Sequence, residues 1–212
     1  AVVFTHLACS VSEKDLFQAM GGEVVIDKTV NPTRPAGLDS ERPVAVNVSM
    51  VTVDGKATQI VAQKGEVIGL AGIAGQGQEQ VLDRLWRRSA DVHVSAALAY
   101  VPGDRQRSGI LPIWDVARNL TITAMPGMSR NGMRQMDKED ALVAEWVDRL
   151  KVRGGATAAI TALSGGNQQK VIVARAFASD ADIILLDDPF RGVDVHTKAE
   201  LYQLIKSEAR KG

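Results

Sequence analysis

The sequence predicts an α/β domain with a mainly parallel core sheet and an antiparallel β edge, on three observations. Two short apolar runs, in KGEVIGLAG from Lys64 and DIILLDD from Asp182, have the length of buried strands rather than helices. Between and after them apolar residues recur at helical spacing, so strand and helix alternate along the chain. Upstream, Val44, Val46 and Val48 alternate with Ala45 and Asn47, the period of a half-buried strand.

Each element has its own justification. AVVF at the start suits a buried strand, Ser12 with Asp15 has the capping-box pattern of a helix start, and Gly21 with Gly22 ends that helix. Pro32, Pro35 and Pro43 make 31–43 a linker and place a domain boundary there. The alternating valines, with Val51 and Val53 leading into Asp54-Gly55, predict an antiparallel hairpin. KGEVIGLAGIAGQGQEQVLDRLW then predicts strand, glycine turn and a helix with Val81, Leu82, Leu85 and Trp86 on one face. Asp137 is the expected cap of a helix carrying Leu142, Val143, Trp146, Val147 and Leu150 on its packed side. LSGGNQQKVIVARAFA reads as a buried helix, DIILLDD as a buried strand, and Lys198 to Lys206 as a last helix.

Composition narrows the function. Lys+Arg and Asp+Glu stand at 25 each, which removes the broad basic field that non-specific nucleic-acid binding needs. Hydrophobic residues at 45% and charged residues at 24% are those of a globular chain, and no apolar run reaches the roughly 20 residues of a membrane-spanning helix. Cys9 is the single cysteine, so no internal disulfide forms, as in a reducing compartment.

Two segments carry chemistry. A loop that cradles phosphate needs glycines so that backbone N–H groups close on the anion, then a lysine for the phosphates and Ser/Thr for Mg²⁺. In GIAGQGQEQ, Gly72, Gly75 and Gly77 keep that spacing, but Gln78 stands at the lysine position and Glu79 at the Ser/Thr position. Losing one charged hydrogen bond costs roughly 1.5 to 3 kcal/mol, about ten- to a hundredfold in affinity. A carboxylate about 4 Å from a phosphate adds repulsion on the order of 4 kcal/mol at an effective dielectric near 20, unless Mg²⁺ lies between them. Taken alone, a glycine turn that only links strand to helix explains the same residues. LSGGNQQK is more specific: Ser164 is a natural N-cap, and Gly165 and Gly166 leave the first N–H groups of the helix bare toward an anion.

From Val44 onward the chain resembles the ATP-binding-cassette ATPases. LSGGNQQKVIVARAF is similar to their signature segment, YVPGDRQRSGI from Tyr100 to their YVPEDR segment, DIILLDDPF to the Walker B strand, and RGVD from Arg191 to the D-loop. The GGNQQK form resembles the branch that imports simple sugars such as ribose, galactose and xylose. The resemblance implies a P-loop NTPase-like cassette with a helical subdomain and ATP and Mg²⁺ as cofactors. On it, Gly72, Gly75, Gly77, Gln78 and Glu79 form one nucleotide-binding loop, and Ser164, Gly165, Gly166, Gln168 and Asp194 contact nucleotide from the signature side. Asp187 holds Mg²⁺ through water. Asp188 stands where the family has a catalytic glutamate, one methylene longer, and a reach error of about 1 Å costs roughly a hundredfold in rate. Gly103 falls where the family has glutamine or glutamate; Asp104 and Arg105 after it are equally well read as a solvated turn.

The resemblance also divides the chain. His6 is similar to a switch histidine, which makes residues 1–30 the tail of a preceding cassette, 31–43 a linker, and 44–212 a second cassette lacking its last strand and switch region. Ala1 to His6 is expected to fill the vacant sheet position, within the chain or by exchange between chains. In this family each ATP is sandwiched between the P-loop of one cassette and the signature of the other, so the two motifs here serve different sites. The implied function is the ATP-binding subunit, with a degenerate P-loop, of an importer for a sugar or similar small solute, with weak or no activity of its own. Implied partners are permease subunits, a second cassette and, indirectly, a solute-binding protein, nucleic acid not being among them; the chain itself is expected in the cytoplasm, peripheral on the inner face of the cell membrane. The alternative is a non-catalytic cassette-fold module that regulates or assembles.

Overall fold

The computed structural model describes residues 44–51, 57–63, 65–70, 77–89, 92–94, 96–130, 132–152 and 154–211. The expectations for the first 43 residues, including His6 and the Ser12 cap, and for the Asp54-Gly55 turn lie outside them.

Strand β1 (Val44–Val51) pairs antiparallel with β2 (Ala57–Gln63), Val51 opposite Ala57, and on its other side with β3 (Val92–His93). This is the antiparallel edge, in the order β2-β1-β3. Strand β4 (Leu98–Val101) runs parallel to β7 (Ile183–Leu186), Leu98 opposite Ile183 and Val101 opposite Leu186, and a small hairpin joins β5 (Ser129–Arg130) to β6 (Met133–Arg134). Among the described residues the α-helices are α1 (Gln78–Trp86), α2 (Val116–Thr121), α3 (Met136–Leu150), α4 (Gly165–Phe177) and α5 (Val195–Ala209). Among the described residues no helix is long and apolar enough to cross a membrane.

Strand β7 separates two cores because its side chains alternate between faces. Leu185 enters the smaller cluster with Val81, Leu85, Val92 and Val94, so α1 packs there. Ile184 and Leu186 border the larger one, built on α4 with Val101, Leu120, Trp146, Ile160 and Leu201. Helix α4 is enclosed as expected, its Val171, Val173 and Ala174 fully buried. Its one lysine, Lys170, is buried too; Nζ donates to the Leu150 carbonyl at the end of α3 at 3.4 Å and pairs with Glu200.

Three expectations are corrected. The run after Lys64 is not a strand: 66–70 is irregular and Val67, Ile68 and Leu70 are exposed. An apolar run becomes a strand only when a neighbour takes its N–H and C=O groups. Among the described residues none does, and a turn with Glu66 N–H donating to Gln63 O at 3.1 Å bends the chain there instead. Asp137 is not the cap of α3. The Gln135 N–H is held by Met128 O at 3.0 Å, the helix opens at Met136, and Asp137 joins Glu139 as a first-turn acid. Trp86, expected on the packed face, is 46% exposed and meets the Tyr100 ring at 5.6 Å rather than entering the core.

A buried polar network fixes the loop between β4 and α2. Asn119, with no exposed surface, donates from Nδ2 to the carbonyls of Leu111 and Asp115 and accepts from the Leu111 N–H at 2.9 Å. Arg175 on α4 donates to Asn119 O at 2.6 Å, Gly109 O at 2.8 Å and Asn119 Oδ1 at 3.2 Å. These partners are uncharged oxygens, and burial pulls the guanidinium down to about 10. Arg175→Leu removes a donor from three acceptors and is expected to lower unfolding free energy in denaturant titration by about 3 kcal/mol; a loss under about 0.5 kcal/mol would show the network to be dispensable.

Candidate functional site

The start of α4 is built as the sequence predicts. Ser164 is the N-cap, its Oγ accepting from the Asn167 N–H at 3.4 Å and its carbonyl from the Gln168 N–H at 2.9 Å. The side chain is exposed, so the tip of the helix opens to solvent. Gly165 and Gly166 also have a cause inside the chain. A Cβ on Gly165 would come within 2.5 Å of Arg105 Nη2, and one on Gly166 within 2.7 Å of Thr197 Oγ1. Gln168 is buried, with Nε2 donating to Ile160 O at 3.2 Å and Oε1 accepting from Gln106 at 2.8 Å; both ends of its amide are engaged within the chain.

Beside this tip lies the turn at 191–194. Asp194 caps α5, its carboxylate accepting from the Thr197 N–H at 2.9 Å and hydroxyl at 2.8 Å. Those bonds, the backbone one foremost, hold its carboxyl below the usual carboxylate range. Arg105 spans the gap, donating from Nη1 to Arg191 O at 2.8 Å and from Nη2 to Gly192 O at 3.4 Å.

At the end of β7 the ladder continues one step, Asp187 N–H donating to Val101 O at 3.0 Å. Asp187 Oδ2 accepts from the Tyr100 hydroxyl at 3.0 Å and the Gly103 N–H at 3.3 Å. A Cβ on Gly103 would sit 3.1 Å from that same oxygen, so a larger residue here would crowd the carboxylate. Burial first, then the charge of Asp187, push the Tyr100 phenol up to about 12, with smaller contributions from Asp83 and Glu79. The first turn of α1 and the end of β7 are thus within electrostatic reach of one phenol. Asp188 is exposed and left-handed at φ 41, a conformation acids adopt more readily than most residues, and its carbonyl accepts from the Arg191 N–H at 3.1 Å.

Of the glycine loop, Gly72 and Gly75 lie outside the described residues. Gly77 caps α1 with φ 104, and Gln78 and Glu79 form its first turn, where the exposed Glu79 carboxylate faces the positive helix end. Among the described residues no group of three His, Cys, Asp or Glu could hold a metal unaided. Asp187 is a hard oxygen donor, and Mg²⁺ characteristically takes one or two carboxylates plus ligand phosphates. The donor chemistry therefore fits an ion that arrives with a nucleotide.

Sequence reasoning missed Tyr100, Gln106 and Thr197 and left Arg105 undecided. The paired glycines at 165 and 166 were the available signal, since two adjacent residues without side chains mark close neighbours as well as a ligand.

The ABC transporter family profile matches residues 56–191. The chain is 30% identical to the xylose import ATP-binding protein XylG of Brucella abortus (strain 2308), covering 100% of this chain and 46% of that protein. It is 32% identical to the ribose import ATP-binding protein RbsA 2 of Streptomyces avermitilis, covering 100% of this chain and 45% of that one. The chain thus spans about half the length of these relatives. A solved structure of an inward-facing metal-chelate type ABC transporter shares the fold, with TM-score 0.64 at 20% identity over 79% of this chain and 68% of its own.

Two predictions follow from the geometry. The phenol proton of Tyr100 is bound more tightly in the folded chain, so its contribution to stability is complete below about pH 10, the unfolded value, and is lost as pH rises toward 12. With Tyr202→Phe removing the other of the 2 tyrosines, phenolate absorbance should rise with a midpoint near 12, and Asp187→Asn should lower it; a midpoint of about 10 would mean that neither burial nor Asp187 holds the proton, and a midpoint unmoved in Asp187→Asn would mean that Asp187 does not. Asp194→Ala should cost about 1 kcal/mol in thermal or denaturant unfolding while Asp194→Asn keeps most of the cap. Because the Asp194 carboxyl titrates lower when folded, the charge-dependent part of this deficit is full at neutral pH and vanishes as pH falls through its depressed folded value.

Proposed function

The chain belongs to the ABC transporter family, and from that premise we propose that it is the second nucleotide-binding cassette of an importer ATPase, with ATP and Mg²⁺ as cofactors and a sugar or similar small solute as cargo. The observation that carries this reading is the tip of α4: an exposed Ser164 cap followed by Gly165 and Gly166, which put no side chain of their own over the first turn. The printed functions of the relatives, xylose and ribose import ATP-binding proteins, support the cargo class.

In the proposed assembly the Ser164 hydroxyl and the free N–H groups of that turn meet the terminal phosphate of an ATP seated on a partner cassette. They orient it, and their closure excludes water. Asp187, through the carboxylate oxygen not shared by Tyr100 and Gly103, would hold Mg²⁺ by way of water; the ion supplies charge neutralisation at the phosphates. Asp188 orients the attacking water on the local side with the shorter reach of an aspartate. The local loop Gly72, Gly75, Gly77, Gln78 and Glu79 binds nucleotide weakly, since it offers no lysine. Gln168 serves the site by holding the tip through Gln106, and Asp194 by capping the helix that presses on Gly166. Permease subunits and, through them, a solute-binding protein complete the system, with this chain peripheral on the inner face of the cell membrane.

The test is ATP turnover by this chain alone and with its partner cassette. The chain alone should turn over below about 1 per second, and Ser164→Ala should lower the rate of the assembly by about a hundredfold. Full activity in the Ser164→Ala assembly removes the reading. The non-catalytic alternative, which family membership does not favour, predicts no ATP bound at the signature face even with the partner present.

A further inference from the structure

Arg105 touches two motifs at once. Its guanidinium donates to two successive carbonyls, Arg191 O at 2.8 Å and Gly192 O at 3.4 Å, and the same group lies against the first residue of α4, where only a glycine fits. Gly192 is itself left-handed at φ 62, with space for a Cβ only 3.4 Å from Nη1. The arginine is anchored at its base. Asp104 Oδ1 accepts from the N–H groups of Gln106 and Arg107, each at 3.1 Å, the Arg105 carbonyl accepts from the Ile110 N–H at 2.8 Å in a π-helical turn, and Gln106 reaches Gln168 on α4. Nε is buried without a hydrogen-bond partner. A guanidinium with no fixed task would turn that donor to water, and here it stays because both Nη groups are committed.

We propose that Arg105 is a positioning residue that locks the tip of α4 and the turn at 191–194 into one unit, so that both meet the partner cassette in a fixed relative placement. The inference rests on the composite-site reading above. A second seam, Gly166 against Thr197 and Asp194, closes the same unit from the other side. What the lock requires is the planar fork, not the charge: one ammonium on a flexible stem cannot span two carbonyls while lying flat on a glycine.

The test uses the assembled two-cassette ATPase with Arg105→Lys and Arg105→Ala. Both should lower kcat at least about tenfold through misplacement while KM for ATP changes less than about twofold, because ground-state binding stays with the partner's loop. Hydrogen exchange at residues 165–168 and 192–197 should rise together in both variants. Wild-type kcat in Arg105→Lys would show that charge alone suffices and overturn the proposal, as would exchange that rises in one segment and not the other. An inactive wild-type assembly would instead count against the composite site, and the exchange experiment would still judge Arg105.

Discussion

The first turn of α4 has no room for side chains. Arg105 presses on it from one direction and Thr197 from the other, each closer than a Cβ would allow. Those contacts, with the bonds from Arg105 to Arg191 O and from Gln106 to Gln168, join three stretches far apart in sequence: the turn after β4, the start of α4 and the segment leading into α5. Beside these contacts the Ser164 cap stays exposed, so the end of the helix still opens to solvent. Packing and ligand access are here the same property of two glycines.

Behind the tip, α4 is held by groups that are costly to bury unless satisfied. Lys170 lies at the carbonyl end of α3, where a cation suits the helix dipole, and Arg175 ties α4 to Asn119 and Gly109. With Val171, Val173 and Ala174 fully buried between them, the helix has little freedom to slide or rotate. The phosphate contact proposed for the tip needs that rigidity, since its N–H groups act only from a fixed position.

Much of this was legible in the sequence. The period-2 valines state a strand, the helical spacing in α3 and the apolar run from Val171 to Val173 in α4 state burial, and Ser164 before two glycines marks a helix start. The failures share a cause. Whether 66–70 is a strand depends on a neighbour far along the chain, the start of α3 on a hydrogen bond from Gln135 to Met128, and the exposure of Trp86 on where Tyr100 lies. None of these is a local property. The same limit left Arg105 ambiguous, because an arginine after Asp104 looks like a solvated turn until the carbonyls of Arg191 and Gly192 are placed beside it.

The departures from the family pattern have a common direction. Glu79 puts a carboxylate at the positive end of α1, where a bound phosphate would otherwise offer the negative charge. Gly103, in place of a longer residue, lets the Asp187 carboxylate come within 3.1 Å of where a Cβ would sit, and its N–H and the Tyr100 hydroxyl both donate to that carboxylate. In each place a group that nucleotide or metal would satisfy is satisfied by the folded chain itself, which lowers the free energy to be gained by binding there. At the tip of α4 the reverse holds: Ser164 is exposed and no side chain of its first two helical residues intervenes. The unequal provision at these two places is the physical basis for the proposal that gives the local loop a minor role and the tip of α4 the major one.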